Sequence, residues 1–371
     1  MKSILVSGYY GHGNAGDEAM LAGIVGAVKA LAPETGLTVL SSDPVRTAKE
    51  HGVPSVGRMD WRAIRRFLGQ GAGLLFGGGS LLQDATSFRS LVYYAGLAKV
   101  AYTMHRPVVF YGQGIGPLQR RLSRAIVRRV LGKSRMFVAR EEGTLAELKR
   151  LGITKPVVRP GTDPAFLLPF PDPARGQEVL ARSGLAAAGA PVMALVPRAW
   201  QAAPVADLLA AAGTYMQEHL GAMPVLLPLH PDDQAMCSEI SDRTGGSVPV
   251  LAGLGYDETL AVVARCDLVV SVRLHGLVFA ALAARPFVGV SYDPKVKRFC
   301  ESMGGQPCVE LAGGKVEDVL LAIEASWHSR AAVSSYLAAV REDKHKLALD
   351  SLAAALAMLG IHAGGQKGFA P

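Results

Sequence analysis

Short apolar runs, each ending in glycine, proline or charge, alternate with stretches long enough for a helix, and this rhythm constrains the fold more than any other feature of the chain. In the first half the runs are SILVSGYY, LTVLSSD, GLLFGGG, PVVFYGQG, MFVAREE and PVVRPGTDP. Apolar runs too short for helices, regularly spaced by helical patterns, specify a parallel sheet wound on both faces. The proline-rich PFPDPAR, residues 169–175, reads as a linker, after which the alternation restarts with VMALVPRAW, PVLLPLHPDD, DLVVSVRLHG and PFVGVSYDPK. The expected architecture is therefore α/β. Two doubly wound domains, residues 1–168 and 176–330, face one another, an Ala- and Leu-rich terminal helix over 331–362 packs back on the body, and 363–371 form a disordered tail.

The first of these runs leads into GHGNAG, Gly11 to Gly16, which matches two phosphate-binding patterns at once. As G-x-G-x-x-G it suggests a dinucleotide, and as G-x-x-x-x-G it suggests a P-loop. A P-loop then needs Lys followed by Ser or Thr, whereas this chain has Asp17 and Glu18. In the dinucleotide case the pyrophosphate would sit on the helix N-terminus, where those two carboxylates already use the partial positive charge and repel the ligand. The nearest acidic partner for a ribose, Asp43, lies well past the usual spacing of about 20 residues. Two readings stay open at this level. One is a tight turn and helix start with Asp17 in the capping region; the other is a loop that lets a neutral, hydroxyl-rich ligand approach, with Asp17 as acceptor.

At 371 residues, half of them hydrophobic, the chain can bury a large core. It has no apolar run of about 18 residues and no leader pattern between Met1-Lys2 and the first strand, so the expected location is the cytoplasm. Cys237, Cys266, Cys300 and Cys308 show neither C-x-x-C spacing nor a neighbouring His cluster, which argues for free thiols rather than zinc or a disulfide framework. A net charge of +8 favours acidic partners. The densest cluster, QRRLSRAIVRRVLGKSR over 119–135, sets Arg121, Arg124 and Arg128 at helical spacing while Leu122, Ile126 and Val130 can face a core. That is either a solvated basic face or a surface for anionic membrane. No aromatic residues interleave with these arginines, which argues against nucleic acid.

The most pointed chemistry lies in SVRLHGLVFAALAARP, residues 271–286. Its strand ends where the pattern turns helical, so Arg273 and His275 fall at a strand end beside a helix N-terminus, a place that suits an anion. Lys295 in SYDPK and Arg198 in VPRAW end neighbouring strands and can reach the same crevice. Three cations and a histidine in this arrangement read as a site for a small, doubly anionic molecule.

GYYGHGNAGDEAML, GGGSLLQDATS, GQGIGP, VAREEGTLAEL, GTDPAF, SVRLHGLVFA and SYDPKVKRF, in this order and across most of the chain, resemble polysaccharide pyruvyltransferases of the CsaB type. The resemblance implies transfer of the pyruvyl group of phosphoenolpyruvate, a co-substrate rather than a cofactor, onto two hydroxyls of an N-acetylmannosamine unit. The acceptor is a lipid-linked cell-wall precursor, met at the inner face of the plasma membrane, and the product anchors surface-layer proteins. The implied fold is similar to the GT-B glycosyltransferases, with the acceptor on the N-terminal side and the donor on the C-terminal side of a central cleft. Matched position by position, His275, Arg140 and Lys295 are the catalytic candidates, with His275 as the acid that protonates phosphoenolpyruvate. Arg273, Arg198 and Gly276 are the donor-binding candidates, and Asp17, Asn14, Gln83 and Asp84 the acceptor-binding ones. Gln83 and Asp84 have helix capping as their structural alternative, and VPRAW departs from the S-x-R-P-W form usual in the family. No metal and no NAD are expected. The competing functions are a GT-B glycosyltransferase using a nucleotide sugar and a nonenzymatic dinucleotide-binding regulator.

The acidic pair after Gly16 generates the first test. Calorimetry should detect no micromolar binding of NAD or ATP, and such an affinity for either would overturn this reading of the loop.

Overall fold

The computed structural model describes residues 2–185, 189–200 and 204–362; the expected tail over 363–371 lies outside them. The strands are β1 Ser3–Ser7, β2 Gly36–Ser41, β3 Ser55–Gly57, β4 Gly73–Gly77, β5 Val108–Gln113, β6 Met136–Ala139, β7 Val157–Pro160, β8 Val192–Val196, β9 Met223–Leu226, β10 Leu268–Ser271, β11 Phe287–Ser291 and β12 Cys308–Glu310. They form two open sheets, β3-β2-β1-β4-β5-β6-β7 and β12-β11-β10-β8-β9, and every pairing is parallel. The α/β, doubly wound class read from the alternation is the class observed.

The chain folds as two compact units. The first comprises the residues up to His12, Asp17–Leu168 and Lys344 onward; the second comprises Gly13–Gly16 and Pro169–Asp343. The boundary at Leu168 and Pro169 is where the proline-rich segment begins, but that segment is not all linker. Asp172 accepts the Ala174 amide at 2.9 Å and caps a helix over Pro173–Arg182. The terminal helix, Arg330–Met358, passes from the second unit into the first. Within the first unit it is held by Tyr111, whose hydroxyl donates to the Ala348 carbonyl at 2.9 Å, and by His345, whose Nδ1 lies 2.7 Å from the Phe166 carbonyl.

In the first unit the strand order reverses between β1 and β4. β4 and β5 are buried along their whole length because helices cover both faces of the sheet. Phe76, Phe110 and Phe137 stand in register on β4, β5 and β6, with ring centroids 4.6 and 6.0 Å apart, an aromatic ladder through the core. The strands without a legible apolar run, β3 and β12, have three residues each and lie at sheet edges. Pairing with β2 and β11 makes them strands. In the second unit the order reverses between β8 and β10, the place where an open α/β sheet offers its crevice. Among the described residues no helix is long and apolar enough to cross a membrane.

The basic segment folds as a helix over Arg121–Leu131, and its buried face is Ser123, Val127, Val130 and Leu131. Leu122, expected in the core, is 60% exposed. At its start Asp84 holds the chain: its Oδ1 accepts the Gln119 amide at 2.7 Å and its Oδ2 the Arg120 amide at 3.0 Å, the two residues that lead into the helix. Arg124 donates to the Gln119 carbonyl at 3.0 Å and Arg128 to the Leu151 carbonyl at 2.7 Å, so two of the three cations at helical spacing are engaged on the chain itself.

Burial alone would push the Asp84 carboxyl up, but the nearby Ser123 hydroxyl and the Gln119 and Arg120 amides outweigh it and hold the group below its ordinary value. A depressed folded-state value contributes stability above the unfolded pKa and loses it as pH falls through the folded one. Asp84→Ala should therefore lower unfolding stability by about 1–2 kcal/mol at neutral pH. In urea titrations the gap to the parent should close as pH falls below about 4; a gap that stays constant with pH would remove Asp84 from the capping role.

Candidate active site

In the second unit the carboxyl ends of β8, β10 and β11 present Arg198, Arg273, His275, Gly276 and Lys295, five of the residues singled out from the sequence. Arg198 follows β8. Its guanidinium lies 4.7 Å from the centroid of the Tyr292 ring and 5.5 Å from that of Trp200, and its Nη1 donates to the Tyr292 hydroxyl. Tyr292 follows β11 and precedes Asp293, which caps the helix Pro294–Ser302 by accepting the Lys295 amide at 3.0 Å. The Lys295 Nζ lies 5.7 Å from the same Tyr292 centroid and 3.4 Å from the Asp293 carboxylate. Two cations thus meet on one phenol ring. A cavity of about 420 Å³ opens beside it, lined by Trp200, Ser291, Tyr292, Asp293, Lys297 and Glu310 among others.

Arg273 follows β10, but its charge is already answered. Its Nη2 donates to Asp233 Oδ1 at 2.5 Å and its Nε lies 2.5 Å from Oδ2, while Asp233 is almost wholly buried and also accepts the His230 amide at 3.0 Å. A fork-to-carboxylate pair of this kind carries little net charge toward a ligand and fixes the geometry of two loops. His230 follows β9, and its Nδ1 accepts the Asp232 amide at 3.1 Å, which leaves the proton of the neutral ring on Nε2. Burial first, then the positive charges of Arg273 and Arg198, hold this imidazole below its ordinary value despite Asp232 and Asp233. Neither His230 nor Asp233 was singled out from the sequence. The signal was available: LHPDD follows an apolar run just as the other site segments do.

His275 is the second residue of the helix Leu274–Leu282. It packs against Gly16, which belongs to the same unit, so closely that a Cβ there would come 2.1 Å from both Cγ and Nδ1 of the imidazole. The third glycine of GHGNAG therefore makes room for a histidine ring. Asn14 accepts the Gly16 amide at 3.0 Å and acts as a local cap, and the Ala15 amide donates to the Leu229 carbonyl at 2.8 Å. Gly276 is a packing residue by its contacts: a Cβ would come 2.2 Å from the Ser271 Oγ, and its amide donates to the Arg273 carbonyl at 3.1 Å.

The remaining candidates lie in the first unit. Arg140, after β6, is nearly buried; its Nη2 donates to the Ser80 Oγ at 3.4 Å and its Nη1 lies 3.6 Å from the Asp163 carboxylate. Asp17 is buried with its Oδ1 beside Gly79, 3.6 Å from where a Cβ would stand. Gln83 accepts the Thr86 amide at 3.0 Å, two residues ahead of the helix Phe88–Thr103, and Asp84 accepts the Gln119 and Arg120 amides just ahead of the helix Arg121–Leu131. Glu18 accepts the Gly11 amide at 2.8 Å and meets His51 Nε2 at 3.0 Å, supplying from within the chain the negative charge that a glycine loop invites. With Glu50 these two bring ligand atoms within 4.8 Å of one another, the one such metal-compatible group among the described residues, but Glu50 is bonded to Arg46 at 2.7 Å.

A model of the polysaccharide pyruvyl transferase family matches residues 14–294. No curated protein matches the chain. Among solved structures, Anabaena HepE in complex with UDP and glucose is similar at 14% identity and a TM-score of 0.68, over 96% of this chain and 100% of that one. S. aureus MnaA with UDP is similar at 11% identity and 0.68 over the whole of both chains, and a glycosyltransferase from Rickettsia africae at 12% and 0.63, over 96% and 98%. Identities this low establish the fold, that of GT-B glycosyltransferases and epimerases.

The ion pair between Arg273 and Asp233 yields a stability test. Deleting one partner leaves an uncompensated buried charge, so Asp233→Ala should cost about 3 kcal/mol in urea unfolding. The double variant with Arg273→Ala should lose clearly less than the sum of the singles; strict additivity would show that the two groups are not coupled.

Proposed function

The chain belongs to the polysaccharide pyruvyl transferase family, and from that premise we propose that it moves the pyruvyl group of phosphoenolpyruvate onto two hydroxyls of a sugar, forming a ketal and releasing phosphate. The acceptor in this reading is an N-acetylmannosamine of a lipid-linked cell-wall precursor, as the CsaB-type motifs suggest. The observation that carries the proposal is the meeting of Arg198 and Lys295 on Tyr292, at strand ends adjoining the helix that begins with Leu274 and His275.

The donor dictates the chemistry. Its methylene carbon C3 must gain a proton to become the ketal methyl, and protonation leaves an oxocarbenium-like centre at C2. One sugar hydroxyl adds to C2, the C2–O bond to phosphate breaks, and the second hydroxyl closes the ring. Of the two hydroxyl protons, one balances the proton given to C3 and the other leaves with phosphate. His275, in the first turn of the helix Leu274–Leu282, is the acid that delivers this proton. Arg198 and Lys295 hold the carboxylate and phosphate and stabilise charge on the departing group. Arg273, committed to Asp233, acts by fixing the loops that carry His230 and His275. Arg140 is retained as an anion-stabilising residue and Asp17 as the partner of an acceptor hydroxyl, both on the family resemblance and their burial near strand ends.

Anabaena HepE and S. aureus MnaA were crystallised with UDP or UDP-glucose, so a nucleotide-sugar reaction is the competing reading. Incubation with phosphoenolpyruvate and a panel of disaccharides, followed by mass spectrometry and phosphate assay, separates the two. Phosphate release with a pyruvate ketal supports the proposal; UDP release from a nucleotide sugar with phosphoenolpyruvate untouched refutes it.

A kinetic series then tests the roles. His275→Ala should lower kcat by about 10²-fold or more with little change in KM for phosphoenolpyruvate, because the proton is needed only in the transition state. Arg198→Ala and Lys295→Ala should raise that KM by roughly 10- to 100-fold, the loss of a charge-assisted contact of about 1.5–3 kcal/mol. Near-normal turnover in the histidine variant would move the acid elsewhere.

A further inference from the structure

In sequence Cys300 and Cys308 belong to no motif, and the structure brings them together. Cys300 lies on the buried face of the helix Pro294–Ser302, and Cys308 opens β12, in register with Gly289 of β11. Both thiols converge on the space left by Gly289: a Cβ there would stand 2.6 Å from Cys300 Sγ and 3.2 Å from Cys308 Sγ. Between them the chain reverses through Gly304 and Gly305, both at positive φ. Cys300 is buried and Cys308 half-buried, so Cys308 is the more accessible residue of the pair.

We propose that Cys300 and Cys308 form an oxidation site, a thiol pair that hydroperoxides close to a disulfide. The Cys308 thiolate attacks the peroxide oxygen, the O–O bond breaks, and the leaving alkoxide takes a proton to become the alcohol. Cys300 then displaces the resulting sulfenic oxygen as water, forming the S–S bond; the pair loses two electrons and the hydroperoxide gains them. The direction of attack follows from environment. The neighbouring Cys300 thiol lowers the Cys308 thiol from its ordinary value and outweighs its burial, whereas burial pushes Cys237 and Cys266 up to about 12 and leaves them inert.

The bond would tie the helix to β12 on a face where one link already exists. Lys297, three residues before Cys300, pairs with Glu310 of β12 at 2.9 Å. Lys297 and Glu310 also line the cavity beside Tyr292, and Lys295 stands in the first turn of the same helix. Oxidation would therefore stiffen one wall of the candidate site. The thiols would close in this way whatever the enzyme's substrate.

The test uses the whole folded protein with tert-butyl hydroperoxide as the probe. Of the four cysteines, two should disappear from a thiol count in denaturant, and peptide mapping should find Cys300 joined to Cys308, reversibly with dithiothreitol. Cys308→Ser should leave Cys300 a thiol under the same treatment, and Cys300→Ser should trap a sulfenic acid on Cys308 that dimedone labels. Amide exchange across Pro294–Ser302 should slow on oxidation. A linkage to any other cysteine overturns the proposal, as does a folded protein whose Cys308 resists peroxide that oxidises the same chain in urea. Should a variant fail to fold, the map of the unsubstituted protein decides.

Discussion

Parallel pairing of every strand is the constraint from which the rest follows. Because a parallel strand cannot return to its neighbour by a hairpin, each connection must cross the sheet, and the crossing helices bury both faces. The strands therefore become continuous apolar runs, as β4, β5, β8 and β11 are, and the polar residues are driven to their ends. All carboxyl ends of a sheet point one way, so residues far apart in sequence collect along a single edge. Arg198, His230, Arg273, His275 and Tyr292 are neighbours of strand ends for this reason.

Once collected, these charges divide into two kinds. Arg273 is taken up by Asp233, a buried partner that matches its fork with both oxygens. A pair of this sort organises backbone rather than ligand, and it brings the loops after β9 and β10 to fixed positions. Arg198 and Lys295 instead face the ring of Tyr292, with Asp293 as the nearest counter-charge to the lysine. A π face satisfies a cation only partly, which leaves both groups more able to accept an anion. Burial first, and then the charges of Arg273 and Arg198, hold the His230 imidazole below its ordinary value at the same edge.

The glycine loop shows how a phosphate-binding pattern can be put to other uses. Glycines of G-x-G-x-x-G are needed wherever backbone must turn tightly and something must come close, and a pyrophosphate is only one such visitor. In the first unit the Gly11 amide receives the Glu18 carboxylate, itself paired with His51. In the second, Gly16 receives the ring of His275. Asp17 and Glu18 follow the last glycine, and Glu18 is the residue that supplies the carboxylate to the Gly11 amide.

What the sequence determined by itself was whatever depends on local pattern. The period of apolar runs gave the parallel α/β class, and the punctuation after each run gave Arg198, Arg273, His275 and Lys295 but not His230 or Tyr292, since both signals are properties of a few consecutive residues. Short edge strands such as β3 and β12 escaped because three residues carry no period; only the neighbouring strand makes them extended. Tertiary structure alone decided partnership. That Arg273 pairs with Asp233, that Asp84 accepts the two amides leading into the helix Arg121–Leu131, and that Cys300 meets Cys308 where β12 lies along β11 could be read only from the folded chain. Electrostatic and hydrogen-bonding roles are set by the nearest groups within a few ångströms, and in a fold closed by long crossovers those groups come from distant parts of the chain.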